Sequence, residues 1–145
     1  MAADVFSPAK LFTVAEANAT LPLVKAITRD LVRASRELLD RRERLQLLLS
    51  GRRLASGNLY DDELAHIEEQ LDRDAQRIQE YITELQELGV EVKSALDGLV
   101  DFPARLQGRL VYLCWKFGED KVTHWHEIDS GYSSRKPLPP YHAQS

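Results

Sequence analysis

The chain has 145 residues, 43% of them hydrophobic and 29% charged, which is typical of one soluble domain that buries its own core. No apolar run reaches the roughly 20 residues of a membrane span, and a net charge of −4 argues against a protein that coats nucleic acid. The single cysteine, Cys114, excludes an internal disulfide, and no secretory signal pattern opens the chain, so we expect a cytoplasmic protein.

The first predicted element is a long amphipathic helix. Thr13 and Glu16 have the spacing of a capping box, in which each side chain accepts a hydrogen bond from the backbone of the other. From Val24 onward, apolar residues recur every three or four positions. This spacing predicts a helix that kinks at Pro22 and continues to about Leu49.

A second helix with the same apolar spacing is predicted from Asp61 to Leu88, and Gly89 is a natural stop. Turn-forming residues lie between the two helices, at Ser50-Gly51 and at Ser56-Gly57-Asn58. When the helices are folded antiparallel, their apolar positions face one another at a constant sum of residue numbers. The sequence therefore predicts a coiled-coil hairpin over residues 13–89.

Two charged residues, Arg41 and Asp74, occupy positions of the seam where the spacing calls for apolar side chains. They lie in adjacent layers of the predicted hairpin, so we expect them to pair and to fix its register. The helices also differ in charge: residues 25–53 contain nine basic and four acidic residues, whereas 61–87 contain two basic and ten acidic residues. The two helices should therefore attract each other.

One flank of the hairpin is small or apolar and must be covered by another layer. Its members are Leu21, Thr28, Val32, Ser35, Leu39, Ala75 and Ile82. Either the C-terminal segment or a second copy of the hairpin can cover it, and we expect self-association of the hairpin. A basic stripe, Lys25, Arg29, Arg33 and Arg36, could hold a phosphate-rich partner, but the acidic neighbouring helix neutralises it, so nucleic acid is not the expected partner.

After Gly89 the apolar period changes to two, which predicts an antiparallel β-meander of three or four strands over residues 90–135. Strands are predicted at 90–93, 99–102, 109–116 and 121–128. Asp97-Gly98 predicts a hairpin turn, and Pro103 predicts the end of the second strand because it cannot donate to a ladder. The expected fold is α+β, a single domain at 1–138 with a flexible tail at 139–145.

The turn before the last strand decides which side chains share a face of the sheet. Gly118-Glu119 predicts a two-residue turn, which places both His124 and His126 on one face and Cys114 on the other. Two histidines at i and i+2 on a strand can share a metal ion. Without a base or a helix N-terminus beside it, Cys114 is expected to be a core thiol.

A second candidate site is a polar group from the same region: Asp101, Glu119, His126, Glu127 and Arg135. A carboxylate beside an imidazole can tune it for proton transfer near neutral pH. Glu127 cannot orient His126, because consecutive strand residues face opposite ways. Asp101 or Arg135 would have to approach from elsewhere in the fold, and the alternative is a polar network that ties loops to the sheet.

Several segments of the chain resemble a prokaryotic family known only as domain of unknown function 2203. They are Thr13 to Asn18, Leu21-Pro22-Leu23, Gly89 to Lys93, Gly98 to Pro103, Gly108 to Lys116, Gly118-Glu119, Trp125-His126-Glu127, Gly131-Tyr132 and Arg135. The resemblance covers about residues 10–138 and implies no established activity. It centres on Trp125-His126-Glu127, so His124 departs from the family pattern, which weakens the two-histidine metal site.

Two classes of function remain. The first is a non-enzymatic cytoplasmic scaffold or adaptor that self-associates through the hairpin and needs no cofactor. The second is a ligand- or metal-binding protein, an enzyme included. Its site would be built from the segments Asp101-Phe102-Pro103, Gly118-Glu119 and Trp125-His126-Glu127.

Overall fold

The computed structural model describes Pro8 and residues 10–51 and 58–139. Two helices, α1 (Val14–Ser50) and α2 (Asn58–Glu87), precede a five-stranded antiparallel sheet. The strands are β1 (Glu91–Ser94), β2 (Leu99–Leu106), β3 (Arg109–Lys116), β4 (His124–Glu127) and β5 (Lys136–Pro137), in that order across the sheet. The α+β prediction is confirmed. The predicted turn at 56–57 and most of the predicted tail lie outside the described residues.

Both ends of the helical region follow the sequence signals. Thr13 and Glu16 form the capping box, with N···O distances of 2.9 and 3.0 Å. The helix then runs unbroken through Pro22. Gly89, with φ +91°, follows the end of α2, and this left-handed conformation favours glycine. Within the described residues, neither helix combines the length and apolar character needed to cross a membrane.

The two helices pack as an antiparallel hairpin. Arg41 Nη1 lies 2.5 Å from Asp74 Oδ1, which confirms the predicted seam pair. Arg77 Nη2 donates to the same carboxylate at 2.7 Å, and Arg44 pairs with Glu63 at 2.8 Å. A residue further along α1 therefore pairs with a residue earlier in α2, as antiparallel packing requires.

The sheet packs on only one half of the hairpin. We define the covered half as 14–35 and 76–87, and the free half as 36–51 and 58–75. The core joins the inner face of the sheet to α1 as far as Leu31 and to α2 from Ile78 onward. The turn at Gly98 lies against Thr28 and Val32, because a Cβ on Gly98 would stand 2.9 Å from Val32 Cγ2 and 3.2 Å from Thr28 Cγ2. The C-terminal segment therefore covers this part of the small apolar flank.

The prediction that Pro103 ends the second strand is wrong, because β2 continues to Leu106. The Pro103 carbonyl accepts a hydrogen bond from Phe12 N at 2.7 Å, on the side of β2 that faces away from β3. The N and C=O of a strand residue point to the same side, so the missing N–H of Pro103 would not have joined the β2–β3 ladder. Proline is tolerated at such an edge position.

The predicted two-residue turn between β3 and β4 is also wrong. The connection runs from Phe117 to Thr123, because other groups hold it away from the ladder. Val122 N donates to Asn18 Oδ1 of α1 at 2.8 Å, and Trp115 Nε1 donates to the Glu119 carbonyl at 3.0 Å. The pairing shifts by one residue as a result, so Cys114 lies opposite His124 rather than on the other face.

Candidate functional site

The shifted register gathers polar side chains on the face of the sheet that points away from the core, here called the outer face. Asp101 lies opposite Cys114 in the β2–β3 ladder, and His126 lies opposite Tyr112 in the β3–β4 ladder. Directly opposed residues share a face, as do residues two apart along a strand. The ligand atoms of Asp101, Cys114 and His126 lie within 4.8 Å of one another, and all three residues are buried.

His126 bridges two partners that fix its protons. Its Nδ1 lies 2.8 Å from the Glu127 carbonyl oxygen, which can only accept, so Nδ1 carries a hydrogen. Its Nε2 lies 2.9 Å from Asp101 Oδ2. One proton is therefore shared between the imidazole and the carboxyl group, either as an ion pair or as a neutral pair.

Asp101 is 1% exposed, and burial raises the pKa of its carboxyl group, although His126 opposes that shift. Its second oxygen, Oδ1, is buried and makes no hydrogen bond. The Cys114 thiol is close enough to favour the carboxylate slightly, but it does not meet hydrogen-bond geometry with Oδ1. A buried carboxylate oxygen without a partner is uncommon and calls for an explanation.

Cys114 lies beside a half-buried ion pair. Burial, reinforced by the charge of Asp101, raises the pKa of its thiol to about 12, so the group is a neutral thiol near pH 7. Arg135 contacts the thiol and pairs with both carboxylate oxygens of Glu119. Burial acts to raise the pKa of Glu119, but the hydrogen bonds from Arg135 and from the Lys116 backbone, together with the charge of Arg135, outweigh it, and the net shift is downward.

A second polar group extends the outer face toward β1. Tyr112 Oη donates to Glu91 Oε1 at 2.8 Å, and Lys93 Nζ lies 2.8 Å from the same oxygen. The Tyr112 ring is tilted against the His126 ring, with 5.4 Å between centroids. Burial and the hydrogen bond to Glu91 raise the pKa of Tyr112 to about 12. The phenol therefore stays neutral and closes one side of the cluster.

The structure brings together only some of the residues that the sequence singled out. Asp101 and His126 form a direct pair, and Glu119 and Arg135 pair with each other beside Cys114. Glu127 lies on the opposite face, where its carboxylate pairs with Arg109 at 2.7 Å. Asp101 and His126 are buried, so this pair does not line an open cleft.

The two-histidine metal site is not the cluster that the structure forms. His124 Nδ1 lies 2.9 Å from Thr123 Oγ1, and the ligand group found among the described residues contains His126 but not His124. Sequence reasoning missed Cys114, whose place depends on the one-residue shift. Spacing at i and i+2 indicates that Tyr112 and Cys114 share one face and that His124 and His126 share one face, but it does not relate the two strands to each other.

Such a cluster has two kinds of chemistry open to it. An imidazole and a carboxyl group that share a proton can store and move that proton, although burial keeps a substrate away. A thiol, an imidazole and a carboxylate together form a set of ligands for a metal ion of borderline softness.

Comparison with known proteins identifies a family but not an activity. A family model described as an uncharacterized conserved protein (DUF2203) matches residues 10–138, which includes both helices and all five strands. No curated protein and no solved structure matches the chain. The resemblance seen in the sequence is therefore confirmed, and the chain belongs to the DUF2203 family.

Proposed function

We propose that the protein is a non-enzymatic scaffold that self-associates through the free half of its hairpin. The observation that carries this proposal is a difference in burial along one pair of helices. In the covered half, Val24, Leu31 and Leu85 have no exposed surface. In the free half, the seam residue Ile67 is buried, but Leu38, Leu45, Leu48, Leu64 and Leu71 are only half-buried. Two helices alone enclose this seam only in part, so a further layer would stabilise it.

The apolar flank that the sheet covers continues onto the free half. Leu39 lies seven residues after the buried Val32, and Leu49 lies fourteen residues after the buried Ser35, so each repeats its heptad position. Leu39 is 44% exposed and Leu49 is 47% exposed. Leu39 and Leu49 therefore extend the apolar flank onto the free half, with the polar residues Arg42 and Gln46 at the same two heptad positions between them.

Charge favours a second copy as the occupant. Residues 36–51 contain four basic and three acidic residues, whereas 58–75 contain one basic and seven acidic residues. A two-fold arrangement that sets α1 of one chain against α2 of its partner joins opposite charges at both contacts. The resulting dimer contains four packed helices, in which the hairpin of each chain covers the half-buried seam of the other.

The test is the native mass of the full chain, measured by sedimentation equilibrium over a range of concentrations. We expect a dimer of the 16.5 kDa chain. Changing Leu39 and Leu49 to Glu should return it to a monomer, because the charge would be buried at the interface. Leu47→Glu is the matched control, since Leu47 is 73% exposed but lies on another side of α1. A wild-type monomer at every concentration, or equal effects of all variants, would contradict the proposal.

A second candidate function, the binding of a metal ion, is favoured by a separate observation. This observation is the buried cluster of Asp101, Cys114 and His126 on the outer face of the sheet. It makes no use of the free half, so the two functions can be tested independently.

A further inference from the structure

We propose that Asp101, Cys114 and His126 bind one divalent transition-metal ion of the Zn²⁺ class between strands β2, β3 and β4. The site deepens the second candidate function and does not depend on self-association. It also differs from the two-histidine site, because the thiol on the central strand replaces His124 as a ligand.

The positions of the three ligands suit a small coordination sphere. Each comes from a different one of three adjacent strands, which hold their backbones at fixed spacing. In a tetrahedral zinc site with bonds of about 2.0–2.3 Å, neighbouring ligand atoms lie roughly 3.3–3.8 Å apart. The three atoms here lie within 4.8 Å of one another, and Asp101 Oδ2 and His126 Nε2 are 2.9 Å apart. Side-chain shifts of about 1 Å or less would form the sphere.

The second oxygen of Asp101 points independently to a missing partner. Asp101 Oδ1 is inaccessible to solvent and has no hydrogen bond, although its residue belongs to the cluster. Leaving a buried acceptor unsatisfied is costly. A cation held by both oxygens of Asp101, together with Cys114 and His126, would give Oδ1 the partner that the protein does not supply.

The outer contacts of the cluster also match those of a metal-binding histidine. A ligating imidazole usually donates its other N–H to a carbonyl or a carboxylate, which fixes the ring and its tautomer. His126 Nδ1 makes this contact with the Glu127 carbonyl and leaves Nε2 directed at Asp101. The ring is therefore already held in the orientation that ligation through Nε2 needs.

Charge balance selects a divalent ion. When a metal ion binds, the thiol proton and the proton shared by Asp101 and His126 leave to solvent. One thiolate and one carboxylate remain, and together they neutralise a dication. Arg135, which contacts Cys114, is already neutralised by Glu119. The buried site therefore has no net charge before or after binding, which avoids the cost of burying an isolated charge.

Ligand type narrows the choice of ion further. Mg²⁺ and Ca²⁺ prefer spheres built from oxygen, whereas a thiolate with an imidazole suits zinc and its neighbours. Three protein ligands leave one position open in a tetrahedral sphere, as in zinc sites that also hold water or a small ligand.

The test uses the full chain with any affinity tag removed, stripped with a chelator and titrated with Co²⁺ and then Zn²⁺. We expect one equivalent of Co²⁺ to bind and to show thiolate-to-metal charge-transfer absorption, and Zn²⁺ to displace it. Cys114→Ser should abolish that absorption. It should also weaken Zn²⁺ binding by more than the roughly 10- to 100-fold typical of losing an outer contact.

The matched control is His66→Gln, which removes an exposed histidine from α2 and should leave binding unchanged. Because Cys114→Ser alters a buried residue, X-ray absorption of the wild-type zinc complex provides a measurement that needs no variant. It should show one sulfur at about 2.3 Å. Absence of stoichiometric binding, a zinc shell without sulfur, or Co²⁺ charge transfer that survives Cys114→Ser would overturn the proposal.

Discussion

The covered and free halves of the hairpin share the same apolar spacing but differ in what that spacing produces. In the covered half, α1 and α2 pack on the sheet, and seam residues such as Val24 and Leu31 are completely buried. In the free half, Leu45 and Leu64 occupy equivalent positions and remain half-buried. Periodicity therefore specifies which face of a helix is apolar, whereas the number of packed layers decides how much stability that face contributes.

The largest expected effect comes from changing one seam leucine to alanine and comparing the result between the two halves. Leu31→Ala should lower the free energy of unfolding by about 3 kcal/mol, because it leaves a cavity in a closed core. Leu45→Ala should cost only about 1 kcal/mol, because its side chain already meets solvent. Urea unfolding of both variants measures the difference. Equal losses would show that the two halves are equally well packed.

A smaller effect should follow from disturbing the contact between the sheet and α1. A Cβ on Gly98 would stand 2.5 Å from Phe117 Cβ, and the residue has φ +68°. Gly98→Ala should therefore cost about 2–3 kcal/mol, from backbone strain and overpacking together. Gly108→Ala is the control, since Gly108 has φ +79° with nothing within 4 Å and should show strain alone. Thermal unfolding that ranks the two variants equally would exclude close packing at Gly98.

The free half contains a buried charged residue, Asp74, and removing one of its partners should lower the stability of the protein moderately. Asp74 has no exposed surface, and Arg41→Met would leave only Arg77 to neutralise it. We expect a loss of about 2 kcal/mol, below the usual range for a buried pair because Arg77 remains. Arg44→Met, which removes an exposed pair with Glu63, should stay within about 0.5 kcal/mol. Urea midpoints that reverse this order would contradict the role of Asp74 in the seam.

The smallest expected effect is on the stability of the protein in acid, and it involves a pair of residues outside both halves of the hairpin. The pKa of Glu119 is lowered from 4.5 in the folded protein, so its pairing with Arg135 stabilises the protein fully above pH 4.5. That stability is lost as the pH falls below 4.5 and through the folded pKa. Glu119→Gln should therefore reduce stability near neutral pH and flatten its decline in acid, as followed by unfolding at a series of pH values. An unchanged acid profile would mean that the pair adds nothing.

The sequence predicted the helices well because local patterns determine them. The capping box at Thr13 and the glycine after α2 are recognisable within a few residues, and Arg41 and Asp74 were visible as breaks in two periodic patterns. The bounds of β3 agreed as well, since its apolar run is bordered by charged residues at each end.

The cluster on the sheet could be predicted only in part, because contacts between distant segments determine its register. Asn18 of α1 holds Val122, 104 residues away, and this contact lengthens the connection before β4. No local turn signal reports such a contact. The one-residue shift that it causes moves His126 to the face that Asp101 and Cys114 share, because a shift of one residue changes the face of every side chain in a strand.

Hydrogen exchange measured at low and high protein concentration tests the difference between the halves most directly. At low concentration, amides of 36–50 and 58–75 should exchange much faster than those of 17–35 and 76–87. Raising the concentration should slow exchange in the free half alone, because a second copy supplies its missing layer. Uniform protection along both helices, or protection of the free half that does not change with concentration, would contradict this account.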